Sequence, residues 1–324
     1  MVTPVFLLSL PRSGSTMLQR ELARHPEIAT VSEPWFMLGL VQPTAGMQVA
    51  ADYDHHSLRV AFEDLIARLP GGAADWSAAA RAAAQLLYDR LAGSDGGDAR
   101  FFLDKTPRYA LVPEEIRAIF PEAPIVVLWR NPLAIAASMM STYSGGRWNL
   151  FRFVQDLDIA LPRLVAFVEA HRGAVLCLRY EDLSYAEGTG IDAVLEHLDL
   201  AVAGDKIMPQ PDPLQGRLGD PTRGLNRAAA GLGEDRWKAM FGNPLRRAWA
   251  RRYLRRIGAA RLAIMGYDLD TLEAELASCK GMWSQLCADL VLMPRGVLRR
   301  LFLTRLVRGQ LRKMLGGRPT VEFE

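Results

Sequence analysis

The stretch LLSLPRSGSTMLQREL, residues 7–22, constrains the fold more than any other part of the sequence. An apolar run of strand formers, Val5–Leu10, precedes a turn-like Pro-Arg-Ser-Gly and then apolar residues at helical spacing. This pattern predicts a strand, a loop and a helix. Such a loop favours an anion, because free backbone N–H groups and the positive end of the helix dipole both attract negative charge.

Short apolar strands alternate with helical stretches along the next part of the chain. The pattern predicts further strands at 28–31, 101–103, 125–129 and 174–178, with helices around 113–120, from 132, and over 150–171. Alternation of this kind implies right-handed crossovers and a parallel sheet. Residues from about 39 to 100 are Ala-rich with helical runs, which indicates a helical insert. The predicted class is α/β, a P-loop-like three-layer fold with a central, mainly parallel sheet.

The composition excludes several classes of protein. A net charge of +3 gives no reason to expect a nucleic-acid partner. The three cysteines, Cys177, Cys279 and Cys287, have neither metal-ligand spacing nor the density of a disulfide scaffold, which suggests a reducing compartment. We find neither a signal-peptide pattern nor an apolar run of the roughly 18 residues that a membrane span requires. We therefore expect a cytoplasmic protein.

Ligands of such folds bind at the carboxyl ends of the parallel strands, so the residues that follow each strand are the candidates for a site. After the first strand come Arg12, Ser13, Gly14, Ser15 and Thr16, where the glycine lets the backbone approach an anion and the other side chains add donors. This segment is a candidate phosphate cradle. The alternative is an ordinary capped helix, since Ser and Thr are favoured capping residues.

Cations follow two other strands. Lys105 comes after the strand at 101–103, and Arg130 after the strand at 125–129, with Ser138 on the helix that follows. ATP and GTP enzymes commonly place a magnesium-binding Asp at such a strand end, so a guanidinium indicates direct pairing with an anion. Taken singly, Arg130 could be a surface or salt-bridge residue. If Arg12, Lys105 and Arg130 lie together at the edge of the sheet, they form a pocket for more than one phosphate-like group, and this is what the sequence predicts.

A carboxylate, Glu33, follows the predicted strand at 28–31. Neighbouring cations favour its charged form, as a general base requires, and it could also orient an acceptor hydroxyl. The alternative is a structural salt bridge to one of the arginines.

These residues together resemble the sulfotransferase family that uses 3′-phosphoadenosine 5′-phosphosulfate (PAPS), particularly its bacterial members and the tyrosylprotein sulfotransferases. PRSGSTML is similar to the family's 5′-phosphosulfate loop, and VVLWRNPLAIAASMMSTY to its 3′-phosphate motif. HPEIATVSEP corresponds to the segment that carries the catalytic Glu of the tyrosylprotein enzymes. DKTP and RYEDL match a segment at the reacting centre and a nucleotide-side segment. The resemblance covers roughly residues 4 to 200, interrupted by the insert, and continues less clearly to residue 226.

The resemblance implies a role for each matching residue. Glu33 would take the proton of the acceptor, while Arg12 and Lys105 would stabilise the charge that develops on the transferring group. Binding of PAPS, without a required metal, would involve Arg12, Ser13, Gly14, Ser15, Thr16, Arg130, Ser138 and Tyr180. A basic side chain of a loop over the adenosine, Arg217, Arg223 or Arg227, would complete the donor site. The family's cytosolic members use a catalytic His instead, and His55 and His56 of the insert could only be substrate-side candidates.

Two other functions are compatible with parts of this pattern. A Mg²⁺-dependent P-loop kinase or nucleotidase is the first, although the missing Gly-Lys-Ser/Thr ending argues against it. The second is a binding module that has kept the nucleotide pocket without catalysis. For a sulfotransferase, the expected acceptor is a glycan, a lipid-linked molecule or a small hydroxylated molecule, less probably an amine. The insert and residues 141–155, which include Tyr143, Arg147, Trp148 and Phe151, are the expected acceptor-binding regions, or simply solvent loops with core-anchoring aromatics.

The end of the chain differs in character from the predicted sulfotransferase domain, residues 1–277. Within the extension, 278–324, residues 303–315 place apolar side chains on one helical face and basic side chains on the other. The basic ones are Arg305, Arg308, Arg312 and Lys313. Such a helix could contact an anionic membrane at its inner face, pack on its own domain, or join two subunits in a homo-oligomer.

Overall fold

The computed structural model describes residues 1–45, 55–93, 99–183, 190–201, 236–279 and 285–294. Its centre is a five-stranded sheet in the order β2-β3-β1-β4-β5, in which every pair of neighbouring strands is parallel. The predicted α/β class with a central parallel sheet is therefore confirmed. The strands are β1 (Thr3–Ser9), β2 (Ile28–Thr30), β3 (Phe101–Asp104), β4 (Ile125–Trp129) and β5 (Leu176–Arg179).

Strand β1 lies at the middle of the sheet and is buried on both faces. Successive side chains of a strand point to opposite faces, so Phe6 and Leu8 enter one apolar core while Val5 and Leu7 enter the other. A parallel sheet covered on both sides reads as a continuous apolar run, which is why the sequence of β1 lacks alternation. In the register, Phe6 lies opposite Asp104 of β3 and Ile125 of β4.

Helices pack on both faces of the sheet. The α-helices are α1 (Ser15–Leu22), α2 (Phe36–Ala45), α3 (His55–Arg68), α4 (Ala73–Ala92), α5 (Pro113–Ile119), α6 (Pro132–Ser144), α7 (Leu161–Ala170), α8 (Ile191–His197), α9 (Arg236–Met240), α10 (Pro244–Ile257), α11 (Ala259–Ile264) and α12 (Leu269–Ser278). Residues 286–294 are also helical. Short 3₁₀ turns cover Pro107–Leu111, Leu150–Arg152 and Tyr180–Asp182.

The predicted helical segment over 150–171 is not a regular α-helix in its first half. The structure has a 3₁₀ turn at Leu150–Arg152, a π-helix at Gln155–Ala160, and only then α7. Pro162 lies in the first turn of α7. Because proline has no N–H and its ring crowds the carbonyl four residues earlier, the preceding turn widens instead of continuing as a regular α-helix.

The predicted insert is helical in its described residues, but its last helix belongs to the core of the domain. Tyr88 of α4 is fully buried, with its ring centroid 6.3 Å from that of Phe6 in the central strand and 4.9 Å from that of Phe102 in β3. Ala84, one turn earlier, is also fully buried. Helix α4 is therefore a packing partner of the sheet, and it carries a side chain close to the end of β3.

A buried ion pair joins the helix at 286–294 to the domain. Arg246 of α10 and Asp289 are only 2% and 0% exposed, and Arg246 Nε donates to Asp289 Oδ2 at 2.6 Å. A second guanidinium nitrogen donates to the carbonyl of Gly146, which follows α6, and Asn243 Nδ2 also donates to Asp289 Oδ2. The described part of the C-terminal region, 285–294, thus packs on the domain.

Removal of the buried carboxylate is expected to destabilise the protein strongly. In Asp289→Ala, the Arg246 charge stays buried without its partner, and we expect a loss of about 3 kcal/mol in the free energy of unfolding. Urea unfolding followed by circular dichroism measures this loss. The double variant Arg246→Met/Asp289→Leu removes both charges and should recover most of the stability, whereas equal losses in both variants would contradict this explanation.

Candidate active site at the carboxyl edge of the sheet

The loop between β1 and α1 takes a conformation suited to an anion. Arg12 and Gly14 both have left-handed backbones, with φ of 72° and 91°. The two left-handed residues make a tight turn into α1, whose first N–H groups receive no side-chain cap. An arginine at positive φ is strained, and such strain persists only where surrounding contacts hold it, commonly at functional sites.

Tyr180 packs directly against this loop. A Cβ atom added to Gly14 would lie 2.3 Å from Tyr180 Cδ2 and 2.5 Å from Cε2, closer than atoms can approach. Only glycine therefore allows both the positive φ and the contact with the ring. The tyrosine follows β5, so the segment RYEDL reaches the loop after β1 across the edge of the sheet.

Arg130 contacts both the loop and Tyr180. Its Nη1 donates to the Arg12 carbonyl at 2.9 Å, and its guanidinium carbon lies 4.2 Å from the centroid of the Tyr180 ring. The Arg12 side chain reaches α6, where its Nε donates to Ser138 Oγ at 3.2 Å. Both arginines thus bring positive charge to the same edge of the sheet, which favours an anionic ligand there.

Asn131 and Glu181 fix the turn that carries Arg130. The Asn131 side chain caps α6 by accepting from the backbone N–H groups of Leu133 and Ala134. Its backbone N–H donates to Glu181 Oε1 at 2.9 Å, while the Tyr267 hydroxyl donates to Glu181 Oε2 at 2.6 Å. Sequence reasoning missed Glu181, although its place beside Tyr180 in RYEDL was a signal.

Lys105 and Glu33 form an ion pair next to the loop. Lys105 Nζ lies 2.8 Å from Glu33 Oε1 and donates to Thr16 Oγ1 of α1 at 3.2 Å. The lysine side chain is 1% exposed and the glutamate side chain 12%. A buried ammonium therefore bridges the candidate anion cradle and the candidate base.

The backbone conformation of one further residue at this place was not anticipated. Trp35 has φ of 60°, its backbone N–H donates to Thr106 Oγ1 at 3.3 Å, and its indole Nε1 donates to Glu33 Oε2 at 3.2 Å. Bulky residues rarely adopt positive φ. The sequence offered no periodicity or spacing that could have predicted this contact.

A buried carboxyl group precedes Lys105. Asp104 is fully buried, and its Oδ2 accepts hydrogen bonds from the hydroxyls of Tyr88 at 2.7 Å and Tyr109 at 3.1 Å. Burial raises the pKa of Asp104 from 3.8 to about 7, despite the opposing effects of the tyrosines and Lys105. Burial also raises the pKa of both tyrosine hydroxyls. The link from α4 to the end of β3 was not visible in the sequence.

This carboxyl group is expected to make stability depend on pH. Because the folded pKa lies above the unfolded value, folded Asp104 keeps its proton between about pH 4 and 7 while the unfolded chain has lost it. Stability from this group therefore falls as pH rises through that window, by on the order of 3 kcal/mol. Asp104→Asn should lack this fall. Urea unfolding at pH 5 and pH 8 should therefore show that the free energy of unfolding decreases less in the variant than in the wild type. Parallel pH profiles would contradict the prediction.

The structure brings most of the predicted site residues to one place. A continuous chain of contacts runs from Glu33 through Lys105 to Thr16, and from Gly14 through Tyr180 and Arg130 to Arg12 and Ser138. Ser13 and Ser15, in the same loop and first helical turn, are 1% and 4% exposed. Arg217, Arg223 and Arg227 lie outside the described residues, as do residues 303–315. Helix α3 begins at His55, but the side chains of His55 and His56 are outside the description.

Several buried polar atoms at this edge have no hydrogen-bond partner among the described residues, and two of them belong to predicted donor-binding residues. These two are Ser13 Oγ in the loop and Arg130 Nε beside it. Buried donors are normally satisfied, so orphaned ones at a positively charged edge indicate room for a ligand with acceptor oxygens. These atoms, the left-handed Gly14 and the gathered cations fit an anionic ligand with phosphate-like groups.

The sequence matches a known family over more than half of its length. Residues 4–204 match the Sulfotransferase family, and the chain belongs to that family. Nodulation protein NoeE of Sinorhizobium fredii (strain NBRC 101917 / NGR234) is 37% identical over 144 residues, which are 43% of this chain and 31% of that protein. The match thus spans about a third of that relative's length.

Solved structures of similar fold include two sulfotransferases. The sulfotransferase domain from the Synechococcus PCC 7002 olefin synthase is 22% identical, over 74% of this chain and 88% of that one, with a TM-score of 0.46. Mouse sulfotransferase SULT7A1, solved in complex with PAP, is 15% identical, over 85% and 88% of the two chains, with a TM-score of 0.48.

The described residues contain neither a membrane-spanning helix nor a cluster of metal ligands. Within those ranges, no helix combines the length and the apolar character that crossing a bilayer takes. The same part of the chain has no group of three or more His, Cys, Asp and Glu side chains that could hold a metal ion.

Proposed function

We propose that this protein is a PAPS-dependent sulfotransferase that transfers the sulfuryl group to an acceptor hydroxyl. The observation that carries the proposal is the buried Lys105–Glu33 pair, joined through Thr16 to a left-handed anion loop. It places a candidate base and a candidate sulfuryl-binding cation within 2.8 Å of each other at the edge where such folds bind ligands. Membership of the Sulfotransferase family supports the reaction class.

The proposed reaction is an in-line displacement at sulfur. A bond forms between the acceptor oxygen and sulfur, the bond from sulfur to the 5′-phosphate oxygen breaks, and the acceptor proton passes to Glu33. Adenosine 3′,5′-bisphosphate leaves with the electron pair of the broken bond. Lys105 and Arg12 stabilise the charge on the sulfuryl group and the leaving oxygen. Positioning of the reactants and electrostatic stabilisation of the transition state therefore lower the barrier.

The remaining site residues would bind the donor. Backbone N–H groups and hydroxyls of residues 13–16 would hold the 5′-phosphate, while Arg130 and Ser138 would hold the 3′-phosphate that distinguishes this donor from ATP. Tyr180, which contacts both Arg130 and Gly14, would hold the loop and the Arg130 side chain in place. One of Arg217, Arg223 and Arg227 would close over the adenosine.

The acceptor is proposed to be a glycan, a lipid-linked molecule or a small hydroxylated molecule, and less probably an amine. It would meet the insert and residues 141–155, whose Tyr143 is exposed and packs 5.3 Å, between ring centroids, from Phe153. A screen with ³⁵S-labelled PAPS across glycans, lipids, phenols and peptides tests the proposal. Label transfer to an acceptor class supports it, while the absence of transfer together with absent PAPS binding would end it.

The screen also separates this function from the kinase alternative. A Mg²⁺-dependent P-loop kinase or nucleotidase would bind ATP in preference to PAPS and would lose activity on addition of a chelator. We expect tight binding of adenosine 3′,5′-bisphosphate and transfer that survives the chelator. Family membership favours the sulfotransferase.

We propose that the enzyme is cytoplasmic and that its C-terminal extension packs on its own domain, joins two subunits or contacts the inner face of a membrane. Truncation at residue 284 would remove the buried Asp289, so the fair test keeps the whole chain. Arg305, Arg308, Arg312 and Lys313 are replaced with Gln, and co-sedimentation with anionic vesicles is compared with that of the wild type. Equal pelleting would exclude membrane binding through this face, and sedimentation velocity would detect a dimer.

A further inference from the structure

Both oxygens of the candidate base are held in the structure. Lys105 Nζ lies 2.8 Å from Glu33 Oε1, and the indole Nε1 of Trp35 donates to Oε2 at 3.2 Å. The carboxylate is only 12% exposed, so few water molecules can compete for these oxygens. Two different donors, a charged and a neutral one, therefore fix its orientation.

The backbone of Trp35 is itself anchored to the lysine segment. Its N–H donates to the hydroxyl of Thr106, which is fully buried and follows Lys105 directly. Its carbonyl accepts from the N–H of Leu38 at 3.1 Å, at the start of α2. Together these contacts hold a φ of 60°, which costs a bulky residue free energy and is found where surrounding structure over-determines it.

The two donors differ in what they can do during the proposed reaction. Lys105 also bonds Thr16 at the anion loop, and its charge is needed by the sulfuryl group. An indole N–H can only donate, and Trp35 donates its own to Glu33. When the ammonium turns toward the transferring group, the indole is the contact that still orients the carboxylate toward the acceptor.

We propose that Trp35 is a positioning residue for Glu33, with its indole N–H holding one carboxylate oxygen so that the other faces the acceptor hydroxyl. The kinetic part of this inference rests on the proposed function. The contact itself does not, because it is a property of the resting protein. Preorganisation of this kind removes the need to reorient the base in each turnover.

The contact can be measured without any substrate. The protein contains seven tryptophans, so ¹⁵N-tryptophan labelling gives a small set of indole signals, and Trp35→Phe identifies the signal of Trp35 by its loss. In Glu33→Gln the acceptor becomes a neutral amide, and the Trp35 indole proton should move clearly upfield. The matched control is Trp76, whose Nε1 donates to the Leu40 carbonyl at 3.0 Å and whose signal should stay in place.

The kinetic arm uses Trp35→Phe, which keeps an aromatic ring and removes the N–H donor together with one ring of the indole. Turnover with the acceptor found in the screen should fall roughly 10- to 100-fold, while the affinity for adenosine 3′,5′-bisphosphate stays within a factor of about two. A merely structural role would instead lower the melting temperature and weaken turnover and nucleotide binding together.

The indole signal tests the contact between Trp35 and Glu33, and turnover tests its use in the reaction. A Trp35 signal that Glu33→Gln leaves unmoved overturns the contact, and unchanged turnover in Trp35→Phe overturns its catalytic use. If the wild type transfers sulfuryl to none of the acceptors and does not bind PAPS, the proposed function fails, and the indole signal alone then decides whether Trp35 holds the carboxylate.

Discussion

Glu33→Gln is expected to abolish sulfuryl transfer, with turnover reduced roughly 10³- to 10⁴-fold, while binding of adenosine 3′,5′-bisphosphate persists. The amide keeps the size of the side chain, but with a single acceptor oxygen it can accept from only one of Lys105 and Trp35, and it cannot take a proton from the acceptor. Because Glu33 contacts the cation and not the loop itself, the nucleotide-binding residues keep their places. Initial rates with labelled PAPS and calorimetric titration of the bisphosphate measure the two quantities.

A surface carboxylate supplies the matched control. Glu27 also pairs with a cation, Arg100, at 3.0 Å, but at a side-chain exposure of 34%. Glu27→Gln removes the same charge outside the site and should leave turnover unchanged. Turnover in Glu33→Gln within a factor of ten of the wild type would assign Glu33 to a structural salt bridge, the alternative that the sequence left open.

Arg130→Ala is expected to weaken binding of adenosine 3′,5′-bisphosphate by about 10³-fold. A guanidinium paired with a phosphate makes charge-assisted, often bidentate hydrogen bonds, which are the strongest available in such a site. Arg130 is well placed for this, because Tyr180 stacks on its plane and the Arg12 carbonyl accepts from its Nη1, leaving Nε without a partner in the described residues. Calorimetric titration of the wild type and the variant measures the loss.

A second nucleotide separates a 3′-phosphate contact from a general disturbance of the loop. Adenosine 5′-monophosphate lacks the 3′-phosphate, so its affinity should be nearly the same for the wild type and Arg130→Ala. If the variant lost affinity for both nucleotides equally, Arg130 would act by holding the Arg12 loop instead of binding the phosphate. Unchanged affinity for the bisphosphate would exclude both roles.

Fold prediction from the sequence succeeded where a local pattern carries the information. The bounds of β4, Ile125–Trp129, are as predicted, because five apolar strand formers lie between Pro124 and a polar Arg-Asn-Pro turn. The irregular first half of the helical segment over 150–171 was not predicted, since apolar spacing does not reveal how a proline in the first turn of α7 reshapes the residues before it. Apolar periodicity also could not show that Tyr88, in the predicted insert, packs against the central strand.

The candidate site divides in the same way. The sequence pointed to Arg12, Lys105 and Arg130, because each follows a strand and parallel strands end at a common edge. It did not point to Trp35 or Asp104 as parts of that site. Trp35 contacts Glu33 and Thr106, and Asp104 accepts from two tyrosines, and no local pattern shows these contacts. The roles of all these residues remain predictions that the variants test.

By itself the sequence determined the α/β class, the family and the strand ends where a site had to be sought, since these follow from periodicity and short contiguous motifs. Only the tertiary structure decided which side chains meet there: Tyr180 on Gly14, Lys105 between Thr16 and Glu33, and an indole on the candidate base. The physical reason is that hydrogen bonds and ring contacts depend on distances of a few ångströms between residues far apart in the chain. Local sequence patterns fix the elements, whereas packing of the sheet and its helices fixes those distances.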